Sequence, residues 1–394
     1  MVLVAVRPWS IADWTWPLAG AVLVVLLGAE SPAAAVTAVA SQWNVLLFIL
    51  GLMTISAAAD RSGVFAWVAD VLLDRARGSR RRLFAYLFGA GAALTIVMSN
   101  DATAIVFTPV VYRAVAGRGI DALPYLYACT FAADTASFGL PFSNPANLLV
   151  LPRPQLAAFA EHLFVPMVIA VVLNLAIFTV FFRRQLRGSY HAPAAAPLSG
   201  RMRATMVAMG AVAVAYVAAL VFDVPLGPVA FAGALLVLAV ARITPKAASA
   251  GVGWSTFVLL AGMFVLLDAV VHEGAVAWAL GALHEEARHG ALSALLSATF
   301  GSALAANVFN NLPVAVISGA VAAHGIGSPL AYALIAGVDL GPNMTTTGSL
   351  ATILWLGIVR SRGFRVSPFE YLRLGVLIVP LSLVVTSLWL WLLH

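Results

Sequence analysis

Near the middle of the first half of the chain, residues 92–111 read AALTIVMSNDATAIVFTPVV. An amide and a carboxylate, Asn100 and Asp101, thus lie at the centre of a long apolar run that extends over 83–116. A run of this length with a polar centre is typical of a re-entrant hairpin whose tip stops near mid-membrane. Non-helical backbone at that depth is allowed only inside protein or beside a water-filled cavity. The stretch therefore predicts a membrane protein with a buried polar site.

A second stretch, 291–323, has the same character. It is apolar at both ends and carries Asn307 and the run Asn310-Asn-Leu-Pro313 near its centre. We therefore predict two re-entrant hairpins, one in each half of the chain.

The composition requires lipid as the solvent. The chain has 394 residues, of which 62% are hydrophobic and 10% are charged. A soluble domain carries about a quarter of its residues as charged side chains. The net charge of +6 comes from short basic clusters between apolar runs, which is how membrane proteins fix their orientation, so nucleic-acid binding is excluded. The single cysteine, Cys129, excludes an intramolecular disulfide and a multi-thiolate metal site, and we predict no metal site and no cofactor.

Seven further apolar runs are long enough to cross a bilayer as single helices. They are 12–29, 43–60, 164–182, 204–221, 226–242, 255–271 and 369–392. Two other stretches, 121–150 and 328–358, are interrupted by Pro, Gly and polar residues and predict helices broken inside the membrane. The fold class predicted is an all-α polytopic membrane protein with about nine crossings and two hairpins.

The two halves resemble each other at a nearly constant spacing. The matching residues are Trp43 with Trp254, Gly63 with Gly274, Trp67 with Trp278, Asn100-Asp101 with Asn310-Asn311, and Asp134 with Asp339. The first three pairs lie 211 positions apart and the asparagines of the hairpins 210 apart. We therefore predict a first repeat over 1–183, a cytoplasmic loop and linker helix over 184–225, and a second repeat over 226–394.

The count of crossings makes the repeat an inverted one. Each half contributes four crossings, and the linker helix adds a fifth before the second half begins. With a cytoplasmic N-terminus, all of the 22 Lys and Arg except Arg153 and Arg288 lie inside, as the positive-inside rule requires. Inverted repeats with broken helices are a common build of secondary transporters. No Walker-type phosphate loop and no nucleophile–base pair is present, so the chain is not expected to be an enzyme.

Three carboxylates are candidates for ion coupling: Asp101, Asp134 and Asp339. Each costs ~2.5–3.5 kcal/mol at the bilayer centre on insertion scales. The stretches around them, 83–112, 119–152 and 291–359, contain no Lys or Arg that would offset this cost. The carboxylates are therefore protonated or matched by a mobile cation, and both states suit proton coupling. The alternative is that they cap the helix breaks.

Uncharged polar residues cluster at the two predicted tips and the two breaks. The candidates for substrate binding are Asn100, Thr103, Ser143, Asn144, Asn147, Asn310, Asn311, Asn343, Thr345, Thr346, Thr347 and Ser349. Hydroxyls, amides and helix ends without a fixed cation suit a small neutral polyhydroxy solute or a weakly held anion. The alternative is that such residues only join helices; we assign Thr95, Thr108, Ser302 and Thr352 to that role.

Four of these motifs resemble one known family. Asp339-Leu-Gly-Pro-Asn-Met-Thr-Thr-Thr-Gly-Ser-Leu-Ala-Thr-Ile-Leu-Trp355 is similar to the signature of the arsenical pump membrane proteins, the arsenite/antimonite efflux permeases of the ion transporter superfamily. The segments Asn100–Pro109, Asn310–Pro313 and Asp134–Ser137 resemble its two hairpins and its first broken helix. The resemblance extends from about residue 40 to the C-terminus.

The resemblance implies a function and a mode of movement. Members have a scaffold and a transport domain that crosses the membrane in an elevator-like fashion. They export arsenite or antimonite across the bacterial inner membrane in exchange for protons, sometimes with a separate soluble arsenite-stimulated ATPase. Assembly as a homodimer is left open.

One segment departs from the family pattern. Residues 139–147 carry two prolines, Pro141 and Pro145, and resemble the anion-permease and sodium-coupled branches of the superfamily. A sodium- or proton-coupled anion permease and a proton:sodium antiporter therefore remain alternatives.

Overall fold

The computed structural model describes residue 12, residues 14–192 and residues 194–394, and it is helical throughout this part of the chain, with no named strand. The predicted cytoplasmic N-terminus falls on residues 1–11, outside the described residues. The helices of the first half and the linker are α1 (Thr15–Leu26), α2 (Pro32–Ser41), α3 (Trp43–Ser62), α4 (Val64–Arg75), α5 (Arg80–Met98), α6 (Asn100–Ala102), α7 (Thr108–Val115), α8 (Ala122–Thr135), α9 (Pro145–Val150), α10 (Leu156–Phe181) and α11 (Gly200–Val221).

A similar series follows the linker. Its helices are α12 (Leu226–Ala241), α13 (Pro245–Ser249), α14 (Trp254–His272), α15 (Ala275–His289), α16 (Ala291–Phe309), α17 (Asn311–Ala323), α18 (Ser328–Leu340), α19 (Leu350–Ser361) and α20 (Pro368–Leu392). Seven helices of the described chain, α3, α5, α10, α11, α14, α16 and α20, are long and apolar enough to cross a membrane. The predicted all-α polytopic fold is confirmed.

Most predicted spans agree with the helices to within a few residues, and α10 is the main exception. It begins at Leu156, eight residues before the predicted span at 164. The extra turns contain Glu161 and His162. These polar residues lower the local hydropathy, so the predicted span began after them although the helix does not. The short helices α2 and α13 were not predicted; Ser31 and Thr244 cap them, each followed by proline at the first helical position.

Both predicted hairpins are present, and each turns at one residue of positive φ. Ser99 lies between α5 and α6 with φ 118°, and Asn310 lies between α16 and α17 with φ 76°. Each side chain accepts a backbone N–H of the next limb, from Ala102 at 3.4 Å and from Leu312 at 3.3 Å. The first hairpin continues through a π-helical turn, Thr103–Phe107, into α7.

The positions of these turns shift the residue-by-residue alignment of the two hairpins by one residue from the alignment inferred from sequence. Because Ser99 and Asn310 hold the same place, the spacing is 211, as for the tryptophans, and not the 210 inferred from sequence. Asn100 therefore corresponds to Asn311, and Asp101 corresponds to Leu312. Only the first hairpin has an acid at this position.

Both predicted breaks are also present. After α8, the chain forms one 3-10 turn, Pro141–Ser143, before Asn144 caps α9 by accepting from the N–H of Ala146 at 3.0 Å. After α18, a 3-10 turn at Gly341–Met344 precedes Ser349, which caps α19. Two helix N-termini thus point from the breaks into the protein.

The helix starts repeat at the spacing seen in the sequence. Pairs that begin 211 residues apart are α1 with α12, α3 with α14, α4 with α15 and α5 with α16. These boundaries support the predicted division into repeats over 1–183 and 226–394, which remains a proposal together with its inverted orientation.

Helices of the two halves pack crosswise. α3 packs on α12, where a side chain at Gly51 would approach the Ala230 backbone to 2.5 Å. α14 packs on α1, where a side chain at Gly262, 211 residues later, would approach the Pro17 backbone to 2.6 Å. Both contacts are close because glycine lacks a Cβ.

The hairpins and breaks exchange partners in the same way. The second limb of the second hairpin, α17, packs on α9 of the first broken helix. The second limb of the first hairpin packs on α19 of the second broken helix. This exchange brings both tips and both breaks to the centre of the molecule.

Candidate functional site

The carboxylate of Asp134, on the last turn of α8, lies at the centre of one polar network. Thr352 donates to it at 2.9 Å, Ser349 lies 3.2 Å from both of its oxygens, and Asn100 donates at 3.3 Å. Asp134 is 1% exposed. The first hairpin and the second broken helix therefore meet at this carboxylate.

Asp339, on the last turn of α18, is at the centre of a second network. Asn144 donates to one oxygen and Ser137 to the other, both at 2.8 Å. Asn144 is the cap of α9 and Ser349 is the cap of α19. Each acid thus accepts a hydrogen bond from the cap of the other half's broken helix.

Asp101 has a different environment. It is 5% exposed, and its carboxylate accepts no hydrogen bond from the described residues. Its backbone N–H donates to the Asn100 side chain at 2.9 Å, and the same side chain donates to Asp134. Asp101 is therefore the buried acid whose carboxyl group is available to a ligand or a proton.

No cation balances these three acids within the described chain. The ion pairs present there join Arg113 with Asp60, His272 with Asp268, and Arg288 with Glu285, all of them away from the breaks. Burial of an unpaired carboxylate is so unfavourable that it binds a proton or a mobile cation instead. None of the ion pairs among the described residues involves Asp101, Asp134 or Asp339.

Amides of the breaks form a third group. Asn343 donates to Thr135 at 3.1 Å, and Asn174 on α10 donates to the same hydroxyl at 2.7 Å. Asn147 donates to two carbonyls of its own break, those of Ser137 and Leu140. The side-chain oxygens of Asn147, Asn174, Asn311 and Asn343 are buried without a partner among the described residues.

Other predicted residues hold the elements together instead of lining the acids. Thr103 bonds Thr95 across the first hairpin, at 2.9 Å. Ser143 donates to the Ile96 carbonyl, which ties the first break to that hairpin. Thr345 donates to Asn307 at 2.8 Å. These three positions fit the alternative of joining helices.

The second hairpin tip closes onto the loop of the second break. Asn310 donates its amide to the Thr347 carbonyl at 3.1 Å, and the backbone N–H of Asn311 donates to Gly348. The side chains of Thr346 and Thr347 are half-buried and make no hydrogen bond within the described chain.

The sequence patterns missed Ser137, Thr352 and Asn174. Ser137 lies three residues after Asp134, and Thr352 lies three residues after Ser349; these are spacings at which helix and cap side chains meet, and they could have indicated both residues. Asn174 lies within an apolar span, and its only signal was an amide at mid-span.

A cavity of about 730 Å³ lies beside the second hairpin. α14 lines one side of it with Met263 and Leu266, α15 adds Trp278, and the hairpin lines the other side with Phe309. In the first half, Leu52, Ile55 and Met98 hold the equivalent places. There the space is filled by the linker helix α11, whose contacting residues are Met209, Val212, Ala213 and Tyr216.

A polytopic helical protein in which two broken helices bring buried acids and amides together is a membrane transporter. Comparison with known proteins agrees. The chain belongs to the CitMHS family, whose model is described as "Citrate transporter" and matches residues 1–337.

Curated relatives match over most of their length. The arsenical pump membrane protein of Yersinia enterocolitica is 29% identical over 365 residues, 87% of this chain and 85% of that protein. The arsenical pump membrane protein of Escherichia coli K12 is 28% identical over 408 residues, 98% of this chain and 95% of that protein. An uncharacterized transporter of Mycobacterium tuberculosis is 28% identical over 371 residues, 89% and 86% of the two chains. The recognised resemblance to arsenical pump membrane proteins is confirmed.

The fold is shared with solved structures of other proteins. The YdaH transporter of Alcanivorax borkumensis has a TM-score of 0.54 and 17% identity, and the match covers 94% of this chain and 87% of that one. That transporter is described as having an unusual topology. At this identity the likeness concerns the fold alone.

Proposed function

We propose that this chain exports arsenite and antimonite across the bacterial inner membrane in exchange for protons. The observation that carries the proposal is the combination of three buried acids with no Lys or Arg beside them in the described chain. Such a site has hydrogen-bond donors and acceptors for a neutral solute and carboxyl groups for protons.

The chemistry of the cargo fits this site. Arsenous acid is a neutral trihydroxy molecule near pH 7, so amides and hydroxyls can bind it without a fixed cation. Citrate, which the family's description names, carries about three negative charges near pH 7, and no Lys or Arg of the described residues lies beside the three acids to balance them. Charge therefore favours the metalloid over citrate.

The acids supply the coupling. Asp101 exchanges its proton most readily, since its carboxyl group is unpartnered among the described residues. Asp134 and Asp339 join the two broken helices when their carboxylates accept hydrogen bonds. Substrate binds at Asn100, Asn144, Ser349 and the amides around them.

An elevator-like movement is consistent with the cavity. The cavity lies between the second hairpin and parts of α14 and α15, so the hairpin has room to shift against these helices. In this proposal the hairpins and broken helices move together, and the crossed pairs α1–α14 and α3–α12 form the scaffold. The N-terminus is cytoplasmic; a soluble ATPase and a second copy of the chain are candidate partners.

A sodium-coupled anion permease is the second candidate. The observation that favours it is the set of unpartnered amide oxygens of Asn147, Asn311 and Asn343, because oxygen ligands suit hard cations. Sodium bound there would supply the charge that an anion needs. Pro141 and Pro145, which set the shape of the first break, would then be the informative residues.

Everted membrane vesicles test the proposal directly. A proton gradient is imposed without sodium and without ATP, and arsenite accumulation is measured. We expect uptake that a protonophore abolishes. Sodium-dependent citrate uptake, with no arsenite uptake from vesicles that contain the folded protein, would establish the second candidate instead.

A further inference from the structure

Three metal-binding side chains meet far from the proposed transport site. A carboxylate oxygen of Glu30, one of Asp268 and a ring nitrogen of His272 all lie within 4.8 Å of one another. Glu30 lies in the loop between α1 and α2, and the other two lie on the last turns of α14. Since 238 positions separate Glu30 from Asp268, no sequence pattern indicated this cluster, and the sequence predicted no metal site.

Glu30 is the unusual member of the cluster. It is only 7% exposed, yet it has no hydrogen-bond or ion-pair partner among the residues that the structure describes. A buried carboxylate without a partner is unfavourable. Here it faces a second carboxylate, and a cation between the two would remove the cost.

The histidine is held in a form that binds metals. Nδ1 of His272 donates to the backbone carbonyl of Asp268, 2.8 Å away. This bond orients the ring, as the outer bonds of metal-binding histidines generally do, and in the neutral ring it keeps the lone pair of Nε2 for a metal. Asp268 and His272 are one helical turn apart, so both side chains lie on the same face of α14.

The surrounding backbone fixes the loop against this face. α1 and α14 are in close contact at Gly262, where a side chain would meet the backbone of Pro17 at 2.6 Å, and Leu266 packs over Gly20. At the end of α1 the chain turns at Gly28 with φ 75°, and Ser31 caps α2. Glu30 therefore has little freedom, and a metal would find its ligands nearly assembled.

We propose that Glu30, Asp268 and His272 bind a divalent transition-metal cation of the Zn²⁺ type. Imidazole and carboxylate are both ordinary zinc ligands, and where the protein supplies three ligands, water takes the fourth place. Tetrahedral ligands around zinc are separated by roughly 3.4 Å, so the side chains close by about 1 Å as the ion enters. An imidazole ligand favours zinc over Mg²⁺ or Ca²⁺.

The metal ties one half of the protein to the other. Glu30 belongs to the first half and α14 to the second, so the ion fixes the outer end of the α1–α14 contact. The charge pattern places this end on the side of the membrane opposite the cytoplasm, where external zinc can reach it.

Zinc binding is measured by calorimetry on metal-free, full-length protein in detergent, purified without a polyhistidine tag. We expect one site in the wild type, at least tenfold weaker binding for His272→Ala and Glu30→Gln, and at least tenfold weaker binding of Mg²⁺ by the wild type. His284→Ala and His289→Ala are the matched controls, because both histidines are exposed on α15 beside acidic residues but lie outside the cluster. The zinc affinities of these two control variants should stay within twofold of the wild-type affinity.

Thermal unfolding gives a second readout. Zinc raises the unfolding temperature of the wild type and of both controls but not that of His272→Ala, whose side chain is 69% exposed in the native protein and is not needed for folding. Zinc binding that survives in His272→Ala, absence of zinc binding by the wild type, or equal binding of Mg²⁺ would each overturn the proposal.

Discussion

The side-chain amide of Asn144 donates to the carboxylate of Asp339 at 2.8 Å, across 195 positions of the chain. Ser349 and Asp134 repeat this relationship in the opposite sense, at 3.2 Å. The cap of each broken helix therefore depends on the acid of the other. Because both bonds are buried, a change in the charge of one acid is felt at the break of the other half.

A double-mutant cycle measures the first of these bonds. Asn144→Ala and Asp339→Ala should show an interaction energy of about 1.5–3 kcal/mol, the usual range for a hydrogen bond to a charged group. The measurement is reversible unfolding in detergent micelles. Asn144→Ala combined with Asp223→Ala is the control; Asp223 is exposed, so those two effects add to within about 0.5 kcal/mol. Additivity in the Asn144 and Asp339 pair would mean that the bond does not form.

Thr352 is expected to matter for transport through its hydroxyl. Thr352→Val keeps the shape but removes the donor to Asp134, which the structure places at 2.9 Å. Loss of one hydrogen bond to a charged group is worth about 1.5–3 kcal/mol, so arsenite uptake into everted vesicles should fall by roughly 10- to 100-fold. Thr352→Ser keeps the donor and should retain most of the activity. If Thr352→Val and Thr352→Ser took up arsenite equally well, the hydroxyl of Thr352 would have no role in transport.

Asp101 is the test of proton coupling. Asp101→Asn removes the exchangeable proton but preserves size and polarity, so gradient-driven arsenite uptake should be lost while the protein still folds and inserts. Uptake is measured with and without a protonophore, and folding is checked by the unfolding temperature. Asp223→Asn, an exposed acid, is the control and should transport as the wild type does. Wild-type coupling in Asp101→Asn would exclude the role.

Asn310 caps the N-terminus of α17 and has a positive φ, a backbone conformation that favours glycine. Asn310→Ala loses the bond to the Leu312 N–H and keeps an unfavourable φ of 76°, whereas Asn310→Gly loses the bond but relieves the backbone. We expect Asn310→Ala to destabilise the protein by about 1–3 kcal/mol and Asn310→Gly by less. Thermal unfolding in detergent ranks the two variants, and the reverse order would contradict the capping role.

The orientation is tested by labelling. Ala194→Cys places an exposed thiol in the 184–203 loop, which should react with a membrane-impermeant maleimide in everted vesicles and not in intact cells. Ala287→Cys, exposed on α15, should behave in the opposite way. The wild type is the blank, because its Cys129 is buried. Labelling of residue 194 from outside would invert the topology.

The sequence predicted the helices well because lipid makes each crossing a separate hydrophobic run. The hairpins and breaks were also visible, since polar residues at mid-span are costly in lipid and therefore rare in a plain crossing. For example, 291–323 was predicted as one hairpin, and the structure places its limbs at 291–309 and 311–323.

What the sequence could not give was the partner of each polar residue. Thr352 was assigned to helix contacts, yet it donates to Asp134, 218 positions away. Thr103 was assigned to the substrate site; the structure shows its bond to Thr95 in the same hairpin, and its part in substrate binding stays a prediction. Both are threonines in apolar surroundings, and only the packing of distant helices separates their roles.

The match between Ser99 and Asn310 at the hairpin tips bears on how the protein arose. If one half-length gene was duplicated and fused, both tips once carried the same residue at the place now held by Asp101 and Leu312. At least one of the two has been replaced since then, while the acids of the broken helices are still paired. A molecule with identical halves would be the same viewed from either side of the membrane, and the difference at the tips is one of those that make the two sides distinct.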